Sequence, residues 1–448
     1  MKKRDTVAVI GLGFVGFPTA CILANKKEHF NVIGIDRNIK QIQKDKIEVL
    51  KKKSSLFEDK DLNKICSKVI NKDSIHFTNK IQNVEKSDVI VICINFDFKS
   101  NRLKQLRELK FLFSNLAKFL KKNSMILIET TLPPGTCDKI ILPVLKKSLS
   151  KRKIKISDIY MNFAFERVMP GKHYSKSITD NYKCYAGKDK VSEERCNKFL
   201  KKYVNYKKYP LFKFDSILDC ETAKILENSY RAINIAFIDE WTKFSFENNV
   251  NLNRIIDSIK LRKSHNNIMR PGLGVGGYCL TKDPKFIDFS AKNIFKKKSI
   301  FPITNSAVKI NKNMIFSSVQ FIKKKIKNLK SKKILILGAA YKDNVSDTRE
   351  SPSIILFKEF KKNRIKSVLH DPITSTFDDK KYGIKKKLPI FKKFDLILFC
   401  VKHSYYNKMN FKKFTKKPFY FDLNCVLSKK QINYLLKNNY KIEVLGGN

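Results

Sequence analysis

The sequence predicts an α/β fold in which two helix-covered parallel sheets flank a central helical region. Three observations support this prediction. Short apolar strands alternate with helix-like segments in the first part of the chain, a long run without Gly or Pro occupies the middle, and strands return afterwards. Such alternation is typical of parallel sheets. We therefore expect three domains, at residues 1–205, 206–320 and 321–448.

The elements follow one another in a consistent order. A strand predicted at residues 6–10 leads through a glycine-rich turn into a helical stretch at 14–23, and the next strand, Phe30 to Ile35, ends at Asp36. The run from Cys220 to Asn248 predicts one long helix of the central domain. Further strands are predicted at residues 89–94, 125–128, 332–337, 367–370, 396–401 and 419–423.

The charge balance raises the question of nucleic-acid binding. The 448 residues contain 93 Lys and Arg against 41 Asp and Glu, a formal net charge of +52. The basic residues recur in short runs along the whole chain, whereas nucleic-acid binders usually concentrate them on one face or in a tail. We expect a solvated, basic surface with no specific nucleic-acid partner, although a nucleic-acid surface stays open at this point.

Cysteine spacing and hydropathy exclude several other classes. The ten cysteines are scattered without C-x-x-C pairs or His pairs at zinc spacing, so neither a disulfide framework nor a metal site is expected. No apolar run approaches the roughly 20 residues needed to span a bilayer, and no signal-peptide core follows the first residues. We expect a cytoplasmic protein with reduced thiols and no membrane partner.

The turn after the first strand matches the dinucleotide-binding pattern G-x-G-x-x-G. Its glycines permit a tight turn, a close approach to a pyrophosphate and close packing of helix on strand, and the helix N-terminus points toward the phosphates. Asp36 lies twenty residues after Gly16, where a carboxylate can accept hydrogen bonds from ribose hydroxyls and repel a 2′-phosphate. This predicts a Rossmann domain that binds NAD, although Arg37 beside Asp36 leaves NADP open. The expected cofactor-binding residues are Gly11, Gly13, Phe14, Val15, Gly16, Asp36 and Arg37.

A glycine-rich loop precedes the most informative cysteine. Gly272, Gly274, Gly276 and Gly277 give the loop flexibility and let its amides approach a ligand, and Cys279 follows directly. A thiol held beside cations can ionise and attack an aldehyde carbon. A buried structural cysteine is the equally open alternative.

One helix face carries polar side chains at helical spacing. Lys224, Asn228 and Arg231 stand at i, i+4 and i+7 and therefore share a face. For an isolated trio of this kind, an exposed helix surface is the more ordinary explanation.

Taken together, these motifs resemble the UDP-glucose/GDP-mannose dehydrogenase family over essentially the whole chain. The resemblance rests on segments that appear in family order: residues 11–16, 130–136 and 166–171, the helix with Lys224 and Asn228, the glycine–cysteine loop, and residues 341–352. It implies an N-terminal Rossmann domain, a central domain with a long helix, and a C-terminal Rossmann-like domain that binds UDP. It also implies a homo-oligomer, commonly a dimer.

The resemblance implies a role for each matching residue. Cys279 would be the nucleophile that holds the aldehyde as a thiohemiacetal and then as a thioester, with two NAD used per sugar. Donors that stabilise negative oxygen would be Lys224 and Asn228. Water positioning and proton transfer would fall to Asp283, Thr131 and Glu166. The expected substrate-binding residues are Arg231, Gly272, Gly274, Gly276, Gly277, Tyr278, Lys342 and Arg349, with surface charge as the alternative explanation of Lys342 and Arg349.

The chain also departs from the common family pattern. Ile94 to Asp97 replaces a V-P-T-P segment, Phe165 a Pro, Glu129 a Ser and Thr281 a Pro. These changes affect loops and substrate fit but remove no reacting group.

The segment from Glu166 to Gly171 is most like the N-acetylhexosamine branch. The expected function is oxidation of C6 of UDP-N-acetylglucosamine or UDP-N-acetylmannosamine to the uronic acid, for polysaccharide synthesis. The alternatives are a UDP-glucose 6-dehydrogenase and a catalytically silent nucleotide- or nucleic-acid-binding protein.

Overall fold

A computed structural model describes residues 4–52, 56–97, 102–298 and 300–447. The chain forms two compact units. The first contains the residues up to Leu226 together with Phe286–Ile300, and the second contains Glu227–Lys285 and the chain from Phe301 onward. The boundary at Leu226 falls inside the long central helix, so this helix supplies residues to both units.

The first unit is built on a sheet of eight strands within the described residues, in the order β3-β2-β1-β4-β5-β6-β7-β8. The first six positions have the strand order of a dinucleotide-binding Rossmann fold. All pairs are parallel except β6 with β7. The strands are β1 (Asp5–Ile10), β2 (Phe30–Ile35), β3 (Ile75–Thr78), β4 (Val89–Ile92), β5 (Met125–Ile128), β6 (Tyr160–Phe163), β7 (Cys184–Gly187) and β8 (Phe212–Lys213).

Helices cover both faces of this sheet. Residues of β4 and β5 are buried throughout, as expected for strands packed on both sides. The helices up to the boundary are α1 (Gly16–Asn25), α2 (Ile39–Ile42), α3 (Glu48–Lys51), α4 (Lys60–Asn71), α5 (Arg102–Ala117), α6 (Leu142–Ser150), α7 (Tyr174–Thr179), α8 (Lys190–Lys201) and the long α9 (Ile217–Glu247). The next helices are α10 (Leu252–Ile259), α11 (Lys285–Phe289) and α12 (Pro302–Lys325). The segment Phe286–Ile300 belongs to the first unit, and its side chains Phe286 and Phe289 are buried in the core of that unit.

The second unit contains a parallel sheet of five strands in its described part, ordered β10-β9-β11-β12-β13. The strands are β9 (Ile334–Leu337), β10 (Ser367–His370), β11 (Leu396–Phe399), β12 (Phe419–Asp422) and β13 (Ile442–Val444). Its helices include α13 (Pro352–Lys362), α14 (Thr376–Tyr382), α15 (Ser404–Asn407) and α16 (Lys429–Lys437). The predicted α/β fold class is confirmed. Strand β9 begins two residues later than predicted, and the amide of Lys333 just before it donates to the Asp395 carboxylate.

The two sheets share a local arrangement at the end of their first strands. Gly338 follows β9 with a φ of +102°, and the carboxylate of Asp371 after β10 accepts hydrogen bonds from the amides of Ala339 and Ala340. His403 Nε2 lies 3.0 Å from Asp371 Oδ2. Asp371 is therefore occupied by contacts within its own unit.

Candidate active site

The glycine turn after β1 leaves main chain open to a ligand. Gly11 has a φ of +91°, and a Cβ there would lie 2.6 Å from the carbonyl oxygen of Cys93. A Cβ on Gly16 would lie 1.9 Å from the carbonyl oxygen of Gly11, whereas one on Gly13 would meet nothing within 4 Å. Two glycines are thus required for packing, and the middle one borders free space, as a pyrophosphate site requires. Phe14 beside it is half exposed and Val15 precedes α1.

Asp36 is fixed beside this turn at the carboxyl end of β2. Its Oδ2 accepts a hydrogen bond from the amide of Leu12 at 2.8 Å, and its Oδ1 accepts one from the amide of Asn38 at 2.8 Å. The neighbouring Arg37 is exposed. These residues fit NAD, which needs a turn open to phosphates and a carboxylate for the ribose.

Lys46 is a cation at the same turn that sequence reasoning did not single out. Its Nζ donates to the carbonyl oxygen of Leu12 at 2.6 Å. Burial lowers the pKa of Lys46 to about 8, while the charge of Asp36 acts in the opposite direction. One lysine among so many carries no local sequence signal, so only the fold reveals its position.

Lys224 is held in the first unit by the segment around Glu166. Its Nζ donates to the main-chain oxygen of Glu166 at 2.9 Å and lies 5.3 Å above the centre of the Phe165 ring. The guanidinium of Arg167 also lies over this ring, at 4.8 Å. Phe165, which replaces a common Pro, therefore provides an aromatic face for two cations.

The loop carrying Thr131 is anchored by a buried acid. Glu221 of α9 accepts hydrogen bonds from the amides of Gly135 and Cys137 at 2.6 and 3.0 Å. Burial raises the pKa of Glu221 to about 8 against the effect of these bonds. Thr131 itself is half-buried. Glu221 was not among the predicted site residues, because a single acid in a helix resembles a solvent-facing one.

The departure at residues 94–97 is accommodated in the core. Phe96 is 2% exposed and packs edge-on against Phe286, with ring centres 5.8 Å apart. Thr130 fixes the neighbouring strand end, since its hydroxyl donates to the carbonyl oxygens of Ile92 and Ile94. Phe96 therefore serves packing.

Glu166 belongs to a buried cluster of charges. Its Oε1 contacts Nζ of Lys183, which also donates to Glu129 at 2.7 Å and to the hydroxyl of Tyr203 at 2.9 Å. Burial raises the pKa of Glu166 to about 7, although the charge of Lys183 acts to lower it. A carboxyl group that titrates near neutral pH can both give and accept a proton. Neither Lys183 nor Glu129 was predicted as a site residue.

In the second unit, the structure brings Asn228 together with Asp283. The Asn228 amide donates to Asp283 Oδ2 at 2.7 Å, and Nζ of Lys282 lies 3.0 Å from Oδ1. The amide of Asp283 donates to the main-chain oxygen of Cys279 at 2.8 Å, which places the acid one turn after the thiol. On helix α9, Asn228 is buried while Arg231 is exposed.

Cys279 differs from the other cysteines in its exposure. All ten cysteines lie within the described ranges, and Cys279 alone is exposed. Burial raises the pKa of the thiols of Cys21, Cys93, Cys137, Cys196, Cys220, Cys400 and Cys425. Among the cysteines, Cys279 is thus the one placed to react with an electrophile from solution.

The glycine loop before Cys279 packs tightly on residues 341–352. A Cβ on Gly277 would lie 2.6 Å from the Tyr341 ring, and one on Gly276 would lie 2.8 Å from the Glu350 carbonyl oxygen. A Cβ on Gly272 would meet the Asn424 amide, and Gly274 has a φ of +155°. Close packing explains these glycines; their contact with a sugar stays a prediction.

Cations surround the loop in the second unit. Arg349 pairs with Asp347 and lies 5.5 Å from the Tyr278 ring centre, while Nζ of Lys282 lies 4.8 Å from it. Burial, followed by the charges of Asp347 and Cys279, raises the pKa of Tyr341 to about 12. Lys342 is exposed. Arg349 is therefore part of the surroundings of Cys279, and the nucleotide-binding roles of Arg349 and Lys342 stay predictions.

The described residues contain neither a cluster of metal ligands nor a helix suited to a membrane. No group of three or more His, Cys, Asp or Glu side chains in this part of the chain is placed to hold a metal ion. In the same ranges, no helix is both long and apolar enough to cross a membrane.

Three family models match the chain in sequence order. They describe the NAD binding, central and UDP binding domains of the UDP-glucose/GDP-mannose dehydrogenase family and match residues 5–204, 219–313 and 335–429. The boundaries predicted at residues 205 and 320 stay predictions.

Curated relatives and solved structures agree with these models. UDP-N-acetyl-D-mannosamine dehydrogenase from Methanocaldococcus jannaschii is 34% identical over 78% of this chain and 74% of the relative. That from Methanococcus vannielii is 29% identical over 99% of this chain and 98% of the relative. A UDP-N-acetyl-D-mannosamine dehydrogenase structure from Pyrococcus horikoshii has a TM-score of 0.79 at 22% identity, covering 98% and 99% of the two chains.

A UDP-glucose dehydrogenase structure from Pyrobaculum islandicum has the same TM-score of 0.79, at 18% identity and 99% and 97% coverage. At these identities the solved structures support the fold alone. It is the three family models and the curated relatives that identify the chain as a member of the UDP-glucose/GDP-mannose dehydrogenase family, an NAD-dependent oxidoreductase of nucleotide sugars.

Proposed function

We propose that the protein oxidises the C6 primary alcohol of a UDP-N-acetylhexosamine to the uronic acid, with UDP-N-acetylmannosamine as the first choice of substrate. Several curated relatives that match most of the chain are named UDP-N-acetyl-D-mannosamine dehydrogenases, which supports this choice. The single observation that carries the covalent mechanism is the exposure of Cys279 among nine less accessible cysteines.

The reaction removes four electrons, and NAD is the hydride acceptor in both oxidations. In the first, the alcohol loses a hydride and a proton and becomes an aldehyde. The Cys279 sulfur then bonds to the aldehyde carbon, giving a thiohemiacetal. Loss of the second hydride and a proton leaves a thioester. Attack by water breaks the carbon–sulfur bond, returns the thiol and releases the carboxylate, so two NAD are consumed per sugar.

The protein's polar groups would act on the charges that develop in these steps. Lys224 and Asn228 would stabilise negative charge on the C6 oxygen as preorganised donors. Asp283, tied to Asn228, would position water together with Thr131. Glu166 would accept a proton during thioester hydrolysis. Arg231, Tyr278, Lys342, Arg349 and the loop glycines would contact the nucleotide sugar.

The product in this proposal is a UDP-linked uronic acid, an activated precursor for polysaccharide synthesis. We also propose a homo-oligomeric enzyme, as the family resemblance implies. The second candidate substrate is UDP-glucose, which the name of the family shared by the three matching models includes.

The test is an NADH assay of the full chain with UDP-N-acetylmannosamine, UDP-N-acetylglucosamine and UDP-glucose. We expect about two NADH for each sugar consumed, because the thiol adduct retains the aldehyde until the second hydride has left. Free aldehyde released after one NADH would overturn the covalent mechanism. Faster turnover of UDP-glucose would identify UDP-glucose as the substrate in place of the N-acetylhexosamine. If none of the three sugars gave NADH, the result would favour a catalytically silent binding protein.

A further inference from the structure

A buried cluster of ionisable groups lies at the carboxyl ends of β4, β5 and β6, and the mechanism above uses only one of its members. Glu129 follows β5, Glu166 lies three residues after β6, and Lys183 directly precedes β7. The side chains of Glu129, Glu166 and Lys183 are 0%, 7% and 4% exposed. Charges so well shielded from water interact strongly with one another.

The hydrogen bonds assign the three protons of the Lys183 ammonium. Its acceptors are Oε1 of Glu129 at 2.7 Å, Oε1 of Glu166, and the Tyr203 hydroxyl at 2.9 Å. Burial alone would lower the pKa of Lys183, but the two carboxylates raise it well above its ordinary value. Lys183 therefore stays protonated near neutral pH, and with both acids ionised the cluster would hold one excess buried negative charge.

The two carboxyl groups are not equivalent. Glu129 accepts from Lys183, its Oε1 lies 3.4 Å from the donating Tyr203 hydroxyl, and its Oε2 accepts from the Cys93 thiol at 3.3 Å. Glu129 therefore faces three hydrogen-bond donors. Of these donors, only Lys183 also contacts Glu166. If one of the two carboxyl groups carries a proton, that proton is therefore best placed on Glu166.

The remaining groups around Glu166 do not supply a competing charge change near neutral pH. Burial raises the pKa of Tyr203, Cys93 and Cys196, which keeps these groups neutral. Lys224 donates to the main-chain oxygen of Glu166, and the Arg167 guanidinium donates to the Tyr182 carbonyl oxygen and the Cys184 sulfur. Glu129 is thus the nearby anion that opposes ionisation of Glu166.

We propose that Glu129 is a positioning residue whose buried negative charge keeps the cluster's proton on Glu166. A serine, common at this position in the family, would leave Lys183 paired with Glu166 alone; burial would still raise the pKa of Glu166, but without the added effect of the Glu129 charge. The inference rests on the proposed function, in which ionised Glu166 accepts a proton from the water that attacks the Cys279 thioester.

The direct test follows the protonated carboxyl of Glu166 by infrared difference spectroscopy on the full chain without substrate. The Glu166 signal is the difference between wild type and Glu166→Gln, and it should disappear as the pH rises through about 7. In the Glu129→Gln background, the same difference should titrate at a pH lower by about one unit or more, because a neighbouring anion has been removed. In the Lys183→Gln background it should titrate at a higher pH, because the cation has been removed.

Glu194→Gln is the matched control, since it removes one negative charge from an exposed position of α8 in the same unit and should leave the titration unchanged. Glu129→Ser provides a second variant with the same expected direction if Glu129→Gln does not fold. An unshifted Glu166 titration in a folded Glu129 variant would overturn the inference, as would shifts of the two cluster variants in the same direction.

Activity gives an independent readout. The rising limb of the pH profile of kcat should move to lower pH in Glu129→Gln and to higher pH in Lys183→Gln, whereas a merely structural role would lower kcat without opposite shifts. Absence of NADH formation from every UDP-sugar would refute the proposed function, yet the infrared titration would still test the cluster. If the enzyme is active but replacing Glu129 leaves the Glu166 titration unchanged, the inference is refuted and the proposed function is not.

Discussion

At the scale of single residues, solvent accessibility distinguishes the candidate nucleophile Cys279 from the other nine cysteines. Ten cysteines are present, and burial raises the pKa of seven of them, while Cys279 is exposed in a loop next to Arg349 and Lys282. A sequence pattern can mark the loop but cannot measure exposure. The structure therefore strengthens the nucleophile hypothesis through a property that spacing does not report.

Replacing Cys279 by Ser tests this hypothesis. A hydroxyl is essentially un-ionised near neutral pH, so the covalent second oxidation should fail while the first needs only a base and a hydride acceptor. We expect turnover to fall by a factor on the order of 10³ or more, with NAD and UDP-sugar binding retained. Steady-state NADH assays and calorimetric binding measurements check both statements. Binding lost together with activity would indicate a structural cysteine, and near-normal acid production would assign the covalent step elsewhere.

Residue identity alone could not predict the cluster around Lys183. With 93 Lys and Arg in the chain, any one lysine resembles surface charge, and Glu129 precedes Thr130 without a recognisable spacing to a partner. The partners are 54 and 17 residues away from Lys183 and meet it only through the sheet. The glycine turn and Asp36, by contrast, could be predicted because a local pattern defines both.

At the scale of elements, a buried histidine at the end of a strand in the second sheet makes the stability of the fold depend on pH. His370 at the end of β10 is fully buried, with Nδ1 2.9 Å from the Tyr406 hydroxyl and Nε2 3.1 Å from the Lys386 carbonyl oxygen. Burial lowers the pKa of His370 from 6.5 to about 4. The folded state therefore favours neutral His370, and this stabilisation is present above pH 6.5 and lost as the pH falls toward 4.

We expect the free energy of unfolding to drop by about 2 kcal/mol more in wild type than in His370→Gln between pH 7 and pH 5. Glutamine can still accept from Tyr406 and donate to Lys386, but it does not titrate. Urea unfolding at the two pH values measures the difference. His265→Gln, a change at an exposed position, serves as the control and should keep the wild-type drop. Equal drops in wild type and His370→Gln would contradict the assignment.

The elements themselves were largely predictable. Strands β2, β5 and β10 match their predicted ranges because apolar runs bounded by polar residues define them. Strands β3, β6, β7, β8 and β13 were not predicted, since each is short and, unlike the apolar β5, is interrupted by a polar residue or glycine. The long helix was predicted at residues 220–248 and occurs at Ile217–Glu247, but its division between two compact units depends on distant contacts.

At the scale of the whole molecule, the net charge of +52 is the most unusual property. Lysines occur throughout both units, so they form no single cluster along the sequence. A positive field of this size attracts anionic substrates, including nucleotide sugars, and also attracts polyanions without specificity.

Duplex DNA should therefore bind weakly and without sequence preference, with a dissociation constant on the order of 10⁻⁴ to 10⁻⁶ M at physiological salt. Affinity should fall steeply as salt is raised, because binding releases counterions. Fluorescence anisotropy with two unrelated duplexes over a salt series measures both properties. Tight binding to one duplex and not to the other would restore a nucleic-acid function.

Because Phe286–Ile300 belongs to the first unit, the order in which the chain is synthesised affects when that unit can fold. Phe286 and Phe289 fill the core beside Ile225 and Cys220, and Phe286 packs against Phe96. A growing polypeptide lacks these side chains until almost 300 residues have been polymerised, although its β1 and glycine turn were made at the start. The ribosome must therefore deliver residues 227–285 before the cofactor-binding half can close its own core, so during synthesis this half depends on a segment translated long after its first strand.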